Sequence, residues 1–242
     1  MLFIESSRWR LLCGITLLLS LLHSKATIAA DLEFFGIKGS DTLETSNTVL
    51  KRAYAELGLS FTVRTMPAMR ALEYSNMGRS DGELHRIAGL SKRYPNLIQV
   101  PTAINKFEAV VLSTDSDIEV NGWKSLQAYR IGIVRGIKFT EVGTRGMNTY
   151  TVDNYDQLFG ILKKGKVDLI ILARTTATKF QKTLGAEVSI IEPPVASYNL
   201  YHYLHKKNHT LVQPLDMALK DMQLKGEIVE ARKAFLKAQA AQ

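Results

Sequence analysis

Apolar and polar residues change period along the chain, from two to about 3.6 residues and back, which is the pattern of alternating strands and helices. A short apolar run, Leu32–Ile37, predicts a strand. Helical spacing follows at Leu50, Ala53, Tyr54 and Leu57, up to a terminating Gly58. Leu59, Phe61 and Val63 then alternate with polar residues, as in a strand with one buried face. Such strand–helix–strand units predict an α/β fold with largely parallel sheets.

Two segments 87 residues apart repeat one local pattern. Gly78-Arg79-Ser80-Asp81 and Gly165-Lys166-Val167-Asp168 each follow a predicted helix and precede a predicted strand. The second helix is expected to open at Asp153 and to close at Gly165, and the strand Val167–Leu172 follows it. A glycine at the helix end and a basic residue beside it form a favourable helix exit. Two lobes built alike explain the repeat, and coincidence of a common exit is the alternative.

The connections between the two lobes are expected at two places. The first follows the strand-like run Phe107–Ser113, in the polar stretch 114–117. The second lies near Pro193-Pro194, before the chain returns to strand at Tyr198–Leu204. Between them, the strand Ile131–Val134 ends at Arg135-Gly136, and the last part of the chain is predicted to be helical.

The first thirty residues have the composition of an export signal. Arg8 and Arg10 precede an apolar run over residues 11–22, and small residues follow at Ala26, Ala29 and Ala30. Because a spanning helix needs roughly 20 apolar residues, cleavage near Ala30 is favoured over a retained anchor. The protein is therefore expected in the periplasm.

Composition after this cleavage excludes several kinds of chemistry. Cys13 is the only cysteine, so the remaining chain is expected to have no disulfide, thiolate metal ligand or thiol nucleophile. Removing residues 1–30 takes three of 31 basic and one of 23 acidic residues, leaving a formal charge of +6. No basic block suits nucleic acid, and HKKNH, whose His205 and His209 lie in a predicted loop, does not complete a zinc site. We expect no cofactor, no metal and no nucleic-acid partner.

Several motifs, taken in order, resemble the family 3 extracellular solute-binding proteins, the bacterial group associated with polar amino acid uptake. The similarity covers essentially the whole chain after residue 30. It is carried by the segments Pro67-Ala68-Met69-Arg70-Ala71-Leu72, Asp81-Gly82, Tyr94-Pro95-Asn96-Leu97, Tyr129–Gly136, Gly165-Lys166-Val167-Asp168 and Tyr201–Lys207.

The resemblance implies a type II periplasmic-binding-protein-like fold, with two α/β lobes joined by two crossing strands. Residues 31–110 and 196–242 would form one lobe and residues 111–195 the other. A small ligand would lie in the cleft between them, where the carboxyl ends of strands meet, and hinged closure would bury it. A monomer, working with an ABC transporter permease or a membrane sensor, is expected. The family's arginine clamp is not present in its usual form, since the corresponding stretch reads Leu90–Leu97 with Arg93.

Candidate ligand contacts follow from side-chain chemistry and from position. Arg86 is the first choice, because a guanidinium can hold a carboxylate with two hydrogen bonds; a surface pair with Glu83 is the alternative. In the second lobe, Arg135 and Gly136 lie between a strand and a helix, where backbone amides receive anions, and Lys138 is a further cation there.

Other candidates have an equally simple structural explanation. Ser40 and Asp41, with Thr42, could contact a ligand amine or simply start a helix. The others are Arg70 (aliphatic packing), Thr175 (helix cap), Tyr198 (core aromatic) and Glu83 (ion-pair partner).

Two functions are weighed. The first is a non-catalytic binding protein that closes around a small polar ligand, anionic or zwitterionic and amino acid-like, for delivery to an ABC transporter or a sensor. The second is a periplasmic enzyme on the same fold, of the dehydratase or lyase type, for which Glu83 is the candidate acid or base. Because Glu83 is a single carboxylate with no second catalytic group beside it, the sequence favours the binding protein over the enzyme.

Overall fold

The computed structural model describes residues 32–184 and 187–240, so the predicted export signal lies outside the described residues. The first part of the chain forms three strands and two helices: β1 (Leu32–Ile37), α1 (Thr42–Glu56), β2 (Phe61–Met66), α2 (Ala68–Asn76) and β3 (Gly82–Arg86). These agree with the periodicity of the sequence. Gly58 ends α1 with a φ of +67°, a conformation that glycine adopts without strain.

The rest of the chain adds five strands and five helices. They are β4 (Leu97–Ser113), β5 (Ile131–Val134), α3 (Lys138–Gly143), β6 (Thr149–Val152), α4 (Tyr155–Lys163), β7 (Leu169–Ala173), α5 (Arg174–Leu184), β8 (Ser189–His205), α6 (Val212–Leu224) and α7 (Glu227–Ala240). The HKKNH segment, predicted to be a loop, instead enters a 3-10 helix, Lys206–Leu211. No helix of the described residues is long and apolar enough to cross a membrane.

Helix α4 corrects one prediction. Asn154, and not Asp153, is its N-cap, and its side chain accepts from the backbone N–H of Gln157 at 2.9 Å. Asp153 lies one residue too early for that bond and instead forms an ion pair with Arg135.

The eight strands of the described residues form one hydrogen-bonded sheet, in the order β2-β1-β3-β8-β4-β7-β5-β6. Strands β1, β2 and β3 pair in parallel, and so do β5, β6 and β7. At the centre, β4 and β8 are antiparallel over 17 residues each, a length of about 55 Å at the usual rise per residue. The two long strands therefore belong to both groups of short parallel strands.

The long strands depart from the predicted connections. β4 starts at Leu97, ten residues before the predicted Phe107, and Pro193-Pro194 lies inside β8 rather than between two elements. Proline is tolerated there because the ladder shifts register, from Ala109 opposite Ala196 to Val111 opposite Ile191. Residues 192–195 therefore form a bulge, and the prolines there do not have to donate a backbone hydrogen bond to the neighbouring strand.

The buried apolar side chains form two main cores. One surrounds β5–β7 and α4, with Leu126, Ile131, Leu158, Leu169 and Ile170 fully buried. The other lies between the β1–β3 side of the sheet and helices α1 and α6, with Phe34, Leu50, Tyr54, Leu204 and Leu219 fully buried. We call the group β1–β3, α1, α2, α6 and α7 lobe 1, and the group β5–β7 and α3–α5 lobe 2. The residue boundaries near 110 and 195 stay predictions.

The repeated glycine–aspartate segments have the same geometry in both lobes. Gly78 and Gly165 have φ values of +78° and +63° at the ends of α2 and α4. Asp81 accepts from the backbone N–H of Glu33 at 2.8 Å, and Asp168 accepts from that of Arg130 at 2.6 Å. Each aspartate thus ties the start of its own strand to the neighbouring parallel strand, so the sequence repeat marks a shared structural device.

Candidate functional site

A cavity of about 40 Å³ lies where the two lobes meet. Lobe 1 and the long strands contribute the end of β1, the start of α1, β3 and parts of β4 and β8, and lobe 2 contributes the starts of α3 and α4 and the end of β7. The cavity is lined by Ile37, Ser40, Thr42, His85, Arg86, Ile87, Phe107, Ile137, Lys138, Phe139, Tyr155, Ala173 and Leu200.

Arg86 connects the lobes at the base of this cavity. Its side chain is only 3 % exposed, and its Nε donates to the Glu83 carboxylate at 2.8 Å. Its Nη2 donates to the carbonyl oxygen of Ala68 at 2.9 Å, and its Nη1 donates to that of Gly136, in lobe 2, at 3.3 Å. Arg86 is therefore a buried pair with Glu83, and not the surface pair weighed as its alternative.

Glu83 is bonded to the Arg86 guanidinium and does not itself line the cavity. It is fully buried, and Ser75 also donates a hydrogen bond to its carboxylate at 3.1 Å. Burial raises the pKa of Glu83 because it penalises the charged form, while Arg86 acts in the opposite direction.

Lys138 is the cation that lobe 2 brings to the cavity. Its Nζ donates to Glu141 at 2.5 Å and lies 5.9 Å from the centre of the Tyr94 ring, which packs in one cluster with Leu72 of α2. Gly136, just before it, has a φ of +83°, and a Cβ added there would lie 2.2 Å from the backbone nitrogen of Met69. Only glycine lets the two lobes approach this closely.

Hydroxyl groups and one imidazole complete the polar wall. Ser40 and Thr42 share a hydrogen bond of 2.8 Å, and Thr42 Oγ1 lies 3.3 Å from His85 Nε2. His85 Nδ1 is buried and has no partner among the described residues. Burial and the nearby Arg86 charge lower the pKa of His85 to about 3, so the ring is neutral at pH 7. Burial also raises the pKa of the Tyr155 hydroxyl, so this group stays protonated.

Two further depressions flank the cavity. One, of about 540 Å³, includes Arg174, Thr175 and Lys182 of α5 and Arg232 of α7. There, Arg174 forms ion pairs with Glu108 of β4 at 2.5 Å and with Glu192 of β8 at 2.6 Å, so it connects α5 to both long strands. The other, of about 370 Å³, holds Arg70 and Arg135.

The structure brings together only some of the predicted contacts. Ser40 and Arg86 line the central cavity. Gly136 does not line it, but its carbonyl oxygen accepts a hydrogen bond from Arg86. Thr175 lies in one flanking depression, and Arg70 and Arg135 lie in the other. Asp41 pairs with Lys179 at 3.0 Å. Tyr198 lies behind the cavity wall, where it stacks on Phe107 at 5.5 Å and accepts from Trp123 Nε1 at 3.1 Å.

Sequence reasoning missed His85 and Tyr155 as cavity residues, whereas Thr42, weighed together with Ser40 and Asp41, does line the cavity. Strict alternation along β3 would place His85 and Arg86 on opposite faces of the sheet. The pairing of β3 with β8 shifts register between Glu83 and Arg86, and this irregularity lets both neighbours reach the cavity. No sequence signal marks such a shift. Among the described residues, no group of three His, Cys, Asp or Glu side chains could hold a metal ion.

Comparison with solved structures identifies the fold. A histidine kinase sensor domain with similarity to periplasmic binding proteins matches with a TM-score of 0.70 and 15 % identity, over 86 % of this chain and 96 % of that one. The chain has the two-lobed periplasmic-binding-protein fold. A mutant of ArgBP from T. maritima gives a TM-score of 0.68 at 14 % identity, over 85 % of this chain and 95 % of that one.

A third structure, an amino acid ABC transporter substrate-binding protein from Streptococcus pneumoniae bound to L-arginine, gives a TM-score of 0.64 at 17 % identity, over 80 % of this chain and 84 % of that one. An uncharacterized protein of Shewanella oneidensis is 25 % identical over 189 residues, which are 74 % of this chain and 70 % of that protein. No protein-family model matches the chain. The predicted fold class is confirmed, and the structural neighbours are binding proteins and a sensor domain.

Proposed function

We propose that this chain is a periplasmic solute-binding protein that closes its two lobes around a small polar ligand, anionic or zwitterionic, for delivery to an ABC transporter or a membrane sensor. One observation carries the proposal. Each lobe contributes a buried cation to one shared cavity, Arg86 from lobe 1 and Lys138 from lobe 2. Each cation is paired with one carboxylate of its own lobe, Glu83 or Glu141, and keeps further N–H donors. Their meeting at the junction of the lobes is well suited to capture of a ligand that both lobes contact.

The long strands provide the mechanical basis for closure. β4 and β8 connect the lobes, and their ladder is interrupted between residues 109 and 111 of β4 and between 191 and 196 of β8. Missing ladder bonds leave the chain free to absorb changes in backbone angle. Small rotations there would open or close the cavity, which lies beyond the ends of β1, β3 and β7.

The enzyme alternative loses its candidate acid or base. Glu83 is bonded to Arg86 and Ser75 and does not reach the cavity. Of the titratable groups on the cavity wall, His85 has a depressed pKa and Tyr155 a raised one, so neither is poised to exchange a proton near neutral pH.

Thermal-shift screening tests the proposal. Purified protein is heated with amino acids, organic acids and polyamines, and a true ligand raises the melting temperature in proportion to log concentration above its Kd. We expect at least one saturable shift without turnover of the solute. Absence of a shift across the whole panel would contradict binding, and consumption of the shifting solute would establish an enzyme.

The choice between transporter and sensor needs a cellular readout. Once a ligand is found, deletion of the gene should reduce its uptake if the protein serves a transporter. A sensor role predicts unchanged uptake and loss of a transcriptional response to the ligand.

A further inference from the structure

We infer that the solute bound between the lobes is a small carboxylate or related oxyanion that carries no ammonium group, and not an amino acid. The inference rests on the proposed function, that this cavity binds a solute, and narrows the class of that solute. It follows from an imbalance between hydrogen-bond donors and acceptors on the cavity wall.

Donors are in excess. A guanidinium has five N–H groups, and those of Arg86 serve Glu83, Ala68 and Gly136, which leaves two without an acceptor among the described residues. Lys138 donates one of its three N–H bonds to Glu141. Both side chains are more than nine-tenths buried. A carboxylate, which only accepts hydrogen bonds, satisfies such groups.

His85 adds to this excess in the tautomer whose Nδ1 carries the ring hydrogen. Nδ1 is buried with no partner among the described residues, and Nε2 lies 3.3 Å from the Thr42 hydroxyl. When Nε2 accepts the hydroxyl hydrogen, Nδ1 carries the ring hydrogen and becomes a neutral donor. A bound anion would supply the missing acceptor without requiring protonation of the ring.

Acceptors are scarce. Of the described residues that line the cavity, none is Asp or Glu. The nearest carboxylates already have cationic partners: Glu83 bonds Arg86, Glu141 bonds Lys138, and Asp41 bonds Lys179 through its Oδ1 alone. An ammonium group needs acceptors, and burying it beside two cations whose carboxylate partners are already bonded to them is costly. The wall therefore discriminates against the zwitterion that the amino acid resemblance implies.

The size of the cavity points to a short molecule. One water needs about 10–15 Å³ of such volume, so 40 Å³ accommodates about three waters. Phe107, Phe139 and Leu200 form an apolar wall beside the cations. A carboxylate with a short alkyl part matches both features.

Matched solutes test the inference. Propionate, L-lactate and L-alanine share a three-carbon chain and carry hydrogen, hydroxyl or ammonium at C2, and isovalerate, 2-hydroxyisovalerate and L-valine form a larger set. We expect an acid without the amine to bind best, with the amino acid at least about ten-fold weaker by calorimetry. If the tightest binder of either set, or of the wider screen, carries an ammonium group, the inference is overturned while solute binding stands. Failure of every solute would instead remove the proposed function.

Three variants locate the contact. Lys138→Met should weaken binding of the best acid at least about ten-fold, and Lys163→Met, which removes an exposed lysine of α4, should leave it unchanged. Asp41 Oδ2 is buried and has no partner within residues 32–184 and 187–240, so among these residues Asp41 is the nearby carboxylate that could receive an amine. Asp41→Asn should therefore leave acid binding intact. Loss of binding in Asp41→Asn but not in Lys138→Met, with both proteins folded by circular dichroism, would contradict the inference.

Discussion

At the scale of single residues, Arg86 and Glu83 form the most deeply buried ion pair among the described residues. Both side chains are buried, so removal of one leaves the other as an uncompensated charge. Arg86→Ala is expected to lower the free energy of unfolding by about 3–5 kcal/mol, measured by urea denaturation. Arg93→Ala removes an exposed arginine and should change it by less than about 0.5 kcal/mol.

A double variant separates charge from packing. Glu83→Gln combined with Arg86→Met removes both charges and keeps much of the volume, and it should be more stable than Arg86→Ala alone. Equal destabilisation by both would show that the hydrogen bonds to Ala68 and Gly136, rather than the buried charge, are what the fold requires.

Gly136 is the other residue on which the closed cleft depends. Gly136→Ala introduces a methyl group that would lie 2.2 Å from the Met69 backbone, whereas Gly146→Ala has nothing within 4 Å. The two glycines have nearly equal φ values, +83° and +80°, so backbone strain is similar. We expect Gly136→Ala to cost about 1–3 kcal/mol more than Gly146→Ala, and small-angle scattering should show a larger radius of gyration. Equal effects would mean that the lobes are not in contact there in solution.

At the scale of elements, the cap of α4 is a local test of the structure. Asn154 accepts from the N–H of Gln157, and Asn154→Ala should cost about 1 kcal/mol in thermal or chemical unfolding. Asp156→Ala, in the first turn of the same helix, removes an exposed charge and no cap bond, so its effect should be smaller. If Asp153→Ala instead had the larger effect, the helix would begin one residue earlier.

Elements with strong local periodicity were predictable from the sequence. β1, α1 and β2 follow from alternation and helical spacing, and the helix exits at Gly78 and Gly165 follow from turn chemistry. The full lengths of β4 and β8 were not predictable from the sequence. Prolines at 101, 193 and 194 interrupt the strand pattern, and the two strands continue across them because they pair with each other. The same limit applies to the site. Arg86 and a pair with Glu83 could be proposed from side-chain chemistry, whereas the burial of that pair depends on tertiary packing and the position of His85 at the cavity on a register shift between β3 and β8.

At the scale of the whole molecule, contacts across the cleft hold the lobes together without help from a ligand. Arg86 donates to Gly136, and Lys179 of α5 bonds Asp41 beside α1. The Arg86–Gly136 hydrogen bond is buried, whereas Lys179 is exposed to solvent, so the Arg86 contact contributes more to holding the lobes together. A ligand carboxylate would use the N–H groups of Arg86 that have no acceptor among the described residues, and it would also contact Lys138. Binding would thus add a contact to each lobe while the Arg86–Gly136 bond remains.

Acid sensitivity is expected to be a property of the whole fold. Burial lowers the pKa of His85 to about 3 and that of His202 to about 4, from an ordinary value of 6.5. Between pH 6.5 and these folded values the unfolded chain binds more protons, so stability falls as pH falls. Each histidine should remove about 1.4 kcal/mol per pH unit below 6.5, while the raised pKa of Glu83 partly offsets this at lower pH.

The histidine contributions can be measured one at a time by urea denaturation at pH 7 and pH 5. His202→Gln should reduce the loss of stability between these pH values, because the unfolded chain then has one fewer site that takes up a proton. His209→Gln removes an exposed histidine and should leave the loss unchanged. His202 is held by the Tyr54 hydroxyl at 2.9 Å and the Leu84 carbonyl at 3.0 Å, so its variant will be less stable at both pH values. The difference between pH values, and not the absolute stability, is therefore the decisive quantity, and a difference equal to that of His209→Gln would show that His202 is not kept neutral by the fold.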